Sequence, residues 1–85
     1  MKNIIISSAV RTAVGSFGKS LKNISADDLG SKVISEAIKN SNISSDVVDE
    51  VILGQVLTGG SGQNPARQAA IKSGIPKEKP AYVVN

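Results

Sequence analysis

The residues that could do chemistry in this chain sit in two glycine-containing stretches, and both raise the question of anion binding. In the first, Gly59-Gly60-Ser61-Gly62 runs directly into Gln63-Asn64-Pro65. The amides of Gly60, Ser61 and Gly62, aimed at a helix start, could hold a phosphate or carboxylate. Alternatively these glycines only let the chain turn tightly and let a second backbone pass close by. The spacing does not match the dinucleotide fingerprint, which needs glycines at its first, third and sixth positions and an acidic residue on the next strand. In the second, Gly18-Lys19-Ser20 looks like the end of a phosphate-binding P-loop, but the glycine required five residues earlier is replaced by Ala13. Packing is the favoured reading of the first stretch, and an ordinary surface loop that of the second.

What is missing narrows the chemistry further. The chain of 85 residues contains neither cysteine nor histidine. Disulfides, thiolate-ligated metals and the commonest nucleophile–base pairs are therefore excluded within it, leaving Ser, Lys and carboxylates. Asp46, Asp49 and Glu50 cluster without EF-hand spacing and read as solvated carboxylates, so no metal site is expected. The net charge is +3, but the lysines are scattered and only Phe17 and Tyr82 are aromatic. Nucleic-acid binding is disfavoured on both counts. No segment approaches the roughly 18 apolar residues of a membrane span. Met1-Lys2-Asn3 with three isoleucines is too short for a signal peptide, so the expected location is the cytoplasm and no membrane partner is expected.

The elements that must position these stretches follow from pattern. Residues 3–10, Asn3-Ile4-Ile5-Ile6-Ser7-Ser8-Ala9-Val10, have the β-branched run of a buried strand. A long loop from Arg11 to Ile24 follows. Ser25, with Asp27 and Asp28 in the positive first turn, starts a helix over about 26–41. Its apolar stripe is Leu29, Val33, Ala37 and Ile38, flanked by Ala26 and Ile34. Asn40-Ser41-Asn42 ends it, because Asn tolerates the left-handed conformation. A short turn around Ser45–Glu50 precedes a second strand over about 50–57. Asn64 as cap and Pro65 at the first helical position start a second helix over about 65–73. Gly74, Ile75 and Pro76 close it, and a third strand occupies about 81–85. Ala66, Ala69 and Ala70 give the second helix a face of small side chains, which allows close approach of its backbone. Arg67 beside that face is open to two readings: a surface residue, or a buried ion pair or interface contact.

The sum is an α/β chain, a βαβαβ unit with three parallel strands in sequential order. Two helices cannot cover both faces and edges of such a sheet, and an exposed edge invites pairing with another chain.

Several of these stretches together resemble the thiolase family, most closely its acetyl-CoA acetyltransferases. They are Arg11-Thr12 after the first strand, the Ser25-started helix, Val48-Asp49-Glu50-Val51-Ile52-Leu53-Gly54, Gly62-Gln63-Asn64-Pro65-Ala66-Arg67-Gln68-Ala69-Ala70, and the closing Val84-Asn85. Ala13 departs from the proline frequent there. The resemblance implies that residues 1–85 are the N-terminal part of a thiolase N-terminal domain. That domain belongs to a five-layered αβαβα fold with a mixed, mainly parallel sheet. It further implies condensation of two acetyl-CoA to acetoacetyl-CoA and CoA, reversibly, through an acyl-cysteine. The nucleophile would lie a few residues beyond Asn85, and this segment alone would be inactive. Coenzyme A enters as a substrate thioester held by residues outside this segment, with no further cofactor. No catalytic, coenzyme-binding or metal-binding residue is carried over. The resemblance does imply a homodimer or tetramer, with strand residues Ala81, Tyr82, Val83 and Val84 at the interface, and Arg67 is a candidate contact there. A non-catalytic structural or anion-binding fragment is the other class left open.

Overall fold

A computed structural model describes residues 3–85; Met1 and Lys2, on which the signal-peptide reading partly rested, lie outside it. Helix α1 spans Ala26–Ser41, a single 3-10 turn spans Ser45–Val47, strand β1 spans Val51–Gly54, helix α2 spans Pro65–Lys72 and strand β2 spans Ala81–Val84. The two strands pair in parallel, Val51 opposite Ala81 through Gly54 opposite Val84.

Local chemistry explains the helix ends. Ser25 accepts the Asp28 N–H at 3.3 Å, and α1 closes on Asn42 with φ 57°. Both match the caps read from sequence. Asn64 accepts the Arg67 N–H at 3.1 Å with Pro65 in the first turn. At the other end of α2, Ile75 N–H donates to Ala70 O and Gly74 N–H to Ile71 O, each at 3.1 Å, with Gly74 at φ +85°. This double bond pattern needs a left-handed residue, and glycine adopts that conformation without steric cost. It also drives Ile75 into the core, where it packs with Val51 and Ala70, bordered by Ile34, Ile38, Val48, Leu53 and Ala81.

The small face of α2 is the centre of the fold. Ala66, Ala69 and Ala70 are buried. Opposite them on α1 stands Gly30, where an added Cβ would lie 3.2 Å from Ala69 Cβ and 3.4 Å from Leu53 Cδ1. The helix backbones therefore meet at a distance that only small residues permit.

The first expected strand is not formed. Residues 3–10 make no ladder among the described residues, and Ile4, Ile5 and Ile6 are largely exposed. A β-branched run favours extended backbone, but a strand exists only where a neighbour accepts its N–H groups. Neither β1 nor β2 pairs with it, so among the described residues the sheet has two strands rather than the three expected. The segment does touch α1, with Ser7 Oγ and Ser41 Oγ sharing a hydrogen bond at 2.9 Å. Strand β1 is also shorter than the expected 50–57. Its last rung is Gln55 N–H to Val84 O at 2.8 Å, beyond which Val56 and Leu57 stand exposed.

One electrostatic contact joins the helices. The Lys72 ammonium, in the last turn of α2, donates to Asp27 Oδ2 and, at 2.6 Å, to Asp28 Oδ1, in the first turn of α1. The carboxylates thus sit at the positive end of one helix dipole and the ammonium at the negative end of the other. Asp27 is buried. Its carboxyl and that of Asp28 are held below the ordinary range, chiefly by the bond from Lys72 and next by Ser25. Lys72 is raised, chiefly by Asp27 and then Asp28. A carboxylate with a lowered folded pKa stabilises above its unfolded value of about 3.9, and this is lost as pH falls through the folded value. The raised lysine stabilises below about 10.4, and this is lost as pH rises through its folded value. Stability should therefore fall off at both ends of that window. In chemical denaturation followed against pH, Lys72→Met should lack the alkaline fall that belongs to Lys72; an alkaline limb identical to that of the parent would mean the contact contributes nothing.

Candidate functional site

Where a parallel sheet ends, its strands' carboxyl ends leave a crevice that helices do not cover, the usual place for ligands in α/β folds. Here a cleft of about 510 Å³ lies at the carboxyl ends of β1 and β2, lined by Gln55, Val56, Thr58, Val83, Val84 and Asn85. One wall continues β1 toward the glycine loop and the other is the end of β2.

The glycine loop is held by two glutamine amides. Gln68, on α2, donates from Nε2 to Ser61 O at 3.0 Å and to Gln63 O at 2.9 Å. Gln55 donates from Nε2 to Leu57 O at 3.0 Å and to Ser61 Oγ at 3.1 Å. Ser61 N–H closes a turn on Thr58 O at 3.1 Å. The loop therefore turns carbonyls inward to a side-chain amide. An anion site would need N–H groups converging instead, so the geometry supports the packing reading. Gly60 and Gly62 have φ of +77° and +76°, and a Cβ on Gly62 would meet Gln68 Nε2 at 2.9 Å.

Asn64 serves twice. Beyond capping α2, its Nδ2 donates to Ala81 O at 3.0 Å, tying the helix start to β2. It does so in a left-handed conformation, φ 45°, that asparagine tolerates better than most residues. Arg67 resolves neither as a free surface residue nor as an ion pair: its Nη1 donates to Lys79 O at 3.2 Å, bracing the turn that leads into β2. Ala81 and Val83 are half-buried, while Tyr82 and Val84 are exposed. These four and Arg67 thus lie in or beside one strand whose single partner among the described residues is β1.

The other stretch with phosphate-like spacing builds no cradle. Gly18 lies in a run of turns with φ +69°, and α1 starts only at Ala26, so no helix terminus faces Lys19. A smaller cleft of about 250 Å³ forms where Val10, Arg11 and Thr12 pass Lys32, Val33 and Glu36. Asp46, Asp49 and Glu50 are exposed, and among the described residues no three His, Cys, Asp or Glu side chains group as metal ligands. Among the described residues no helix is long and apolar enough to cross a membrane.

Comparison with known proteins decides the family. Residues 4–85 match the model of the thiolase N-terminal domain. The chain belongs to the thiolase family. This thiolase segment is 55% identical over all 85 residues to an acetyl-CoA acetyltransferase of Clostridioides difficile, covering 79% of that protein. It is 56% identical over its full length to the acetyl-CoA acetyltransferase of Escherichia coli K12, of which it spans 22%. In three dimensions it matches a crystal structure of an Ascaris suum thiolase in complex with coenzyme A. There the TM-score is 0.92 at 49% identity, covering 94% of this chain and 21% of that one. The α/β class read from the residues and the thiolase-type fold implied by the resemblance therefore hold.

Two features of the site escaped the sequence reading: the Gln55 and Gln68 contacts to the loop, and Asn64 as a tie to β2. Gln68 carries a usable signal, since a residue four past the N-cap lies over the first turn and leans back toward the preceding loop. Substitution of Gly62 by Val should cost about 1–3 kcal/mol through a strained left-handed backbone, plus the lost Gln68 contact. Gly59→Ala is the control, because an added Cβ there meets nothing within 4 Å. Thermal midpoints check this; equal midpoints for Gly62→Val and the parent would show that the loop does not need its glycine.

Proposed function

We propose that this chain is the N-terminal segment of a cytoplasmic acetyl-CoA acetyltransferase. The observation that carries the reading is identity of about 55% across the whole chain to relatives bearing that name. The reaction condenses two acetyl-CoA to acetoacetyl-CoA and CoA, reversibly. A cysteine thiolate attacks the first thioester carbonyl, the carbon–sulfur bond to CoA breaks, and CoA leaves as a thiolate that takes a proton from a general acid outside this segment. A general base outside this segment takes a proton from the methyl of a second acetyl-CoA, giving an enolate whose carbon attacks the acyl-cysteine. The new carbon–carbon bond expels the cysteine thiolate. The chain contains no cysteine or histidine, so these steps need residues beyond Asn85.

The role of this segment is positional. The cleft at the carboxyl ends of β1 and β2 is the place toward which a nucleophile a few residues past Asn85 would project. The binding of coenzyme A is assigned to later residues, as substrate and without a metal. Strand β2 is assigned to the interface of a homodimer or tetramer, with Ala81, Tyr82, Val83 and Val84 along the contact and Arg67 bracing it from behind.

Two experiments test this reading. The complete polypeptide should cleave acetoacetyl-CoA with CoA, whereas residues 1–85 alone should show no turnover; activity in the isolated segment would contradict the assignment of catalysis to later residues. Val83→Lys places a charge in the pairing strand and should weaken self-association by about tenfold or more in sedimentation equilibrium. An unchanged association constant would remove β2 from the interface.

A further inference from the structure

We propose that Gln68 is a positioning residue for the reaction cleft, acting through the glycine loop. The inference rests on the proposed function for its catalytic consequence, but its structural part stands on contacts alone. Gln68 projects from α2, with Ala66, Ala69 and Ala70 buried around it in sequence. Its single amide nitrogen reaches the carbonyls of both Ser61 and Gln63 and so spans Gly62. Both amide protons are used.

From Ser61 the restraint passes outward by two routes. The Ser61 hydroxyl accepts from Gln55, which lines the cleft and whose backbone N–H makes the last rung to Val84. The Ser61 N–H closes the turn on the carbonyl of Thr58, which also lines the cleft. Helix α2, loop and cleft wall are thus linked through consecutive hydrogen bonds, with Ser61 as the common point. Apart from the bonds of Gln68 and Gln55, the segment so held has few buried contacts of its own. Val56 is 76% and Leu57 84% exposed, and the glycines between Thr58 and Gln63 carry no side chains to pack. Loops with few buried contacts open at low free-energy cost, so side-chain bonds to the loop set its position. A wall displaced by about 1 Å can cost a hundredfold in rate when reacting groups are held against it.

The test uses the complete polypeptide with Gln68→Met, which keeps length and loses both donors, and Gln68→Lys, which restores a donor at similar reach. Amide hydrogen exchange at Ser61, whose N–H bonds Thr58 O, should be about tenfold faster or more in Gln68→Met while core amides of α2 keep their protection. The kcat for acetoacetyl-CoA thiolysis should fall on the order of tenfold to a hundredfold with KM changed little, and Gln68→Lys should recover part of the loss. Should Gln68→Met not fold, Gln55→Met, which loosens the same loop from the strand side, replaces it with the same expectations. Unchanged loop exchange would overturn the restraint. Faster exchange with unchanged kcat would overturn its catalytic consequence. An unmodified protein without thiolase activity would instead overturn the proposed function, and with it the catalytic part alone, leaving loop exchange to decide the restraint.

Discussion

The structure depends on how closely α2 can approach its neighbours. Ala69 and Gly30 meet at a distance with no room for a larger side chain, and Leu53 of β1 closes the same contact from the sheet. Only two aromatic residues are present in the whole chain, so aromatic side chains do not fill the interior. Density is reached instead by bringing backbones together. This choice has a consequence for position. A helix seated on alanines has little freedom to shift without opening voids, and so everything attached to it inherits a fixed place.

Three attachments follow from that seating. Asn64 ties the start of α2 to the first residue of β2, Arg67 ties its first turn to the carbonyl of Lys79, and Gln68 holds the glycine loop. At the far end, Lys72 secures the first turn of α1, and Ser73 Oγ lies 3.1 Å from Ser31 O and 2.7 Å from Ala69 O, sharing its proton between the helices. Most polar side chains of α2 thus bind backbone or charge on a different element. Together they align the carboxyl ends of both strands, where the cleft lies.

Much of this was legible from residue types. Ser25, Asn42, Asn64-Pro65 and Gly74-Ile75 mark helix ends by short-range bonds among residues at most five apart, and local signals of that range survive in a single sequence. The alanine face of α2 was equally plain. Residues 3–10 show the limit, because three isoleucines state a preference for extended, buried backbone and do not name a partner. The same limit hid the Lys72 contact. Its carboxylates lie 44 and 45 residues away, and each of the three groups already had a local reason for its place at a helix end. For the candidate site, the glycine stretch and its packing role are legible in the residues, but the side chain that packs against Gly62 is not. Gly62 leaves room for the amide of Gln68, four residues beyond the cap, which a Cβ there would meet at 2.9 Å.

Under the proposed function, this segment shapes the place where a nucleophile outside it is acylated. The most direct measurement is peptide mapping by mass spectrometry after brief exposure of the complete polypeptide to acetyl-CoA. The account predicts one acetyl group per chain, on a cysteine within a few residues of Asn85. No covalent acetyl, or acetyl carried only on a residue remote from the end of β2, would contradict it.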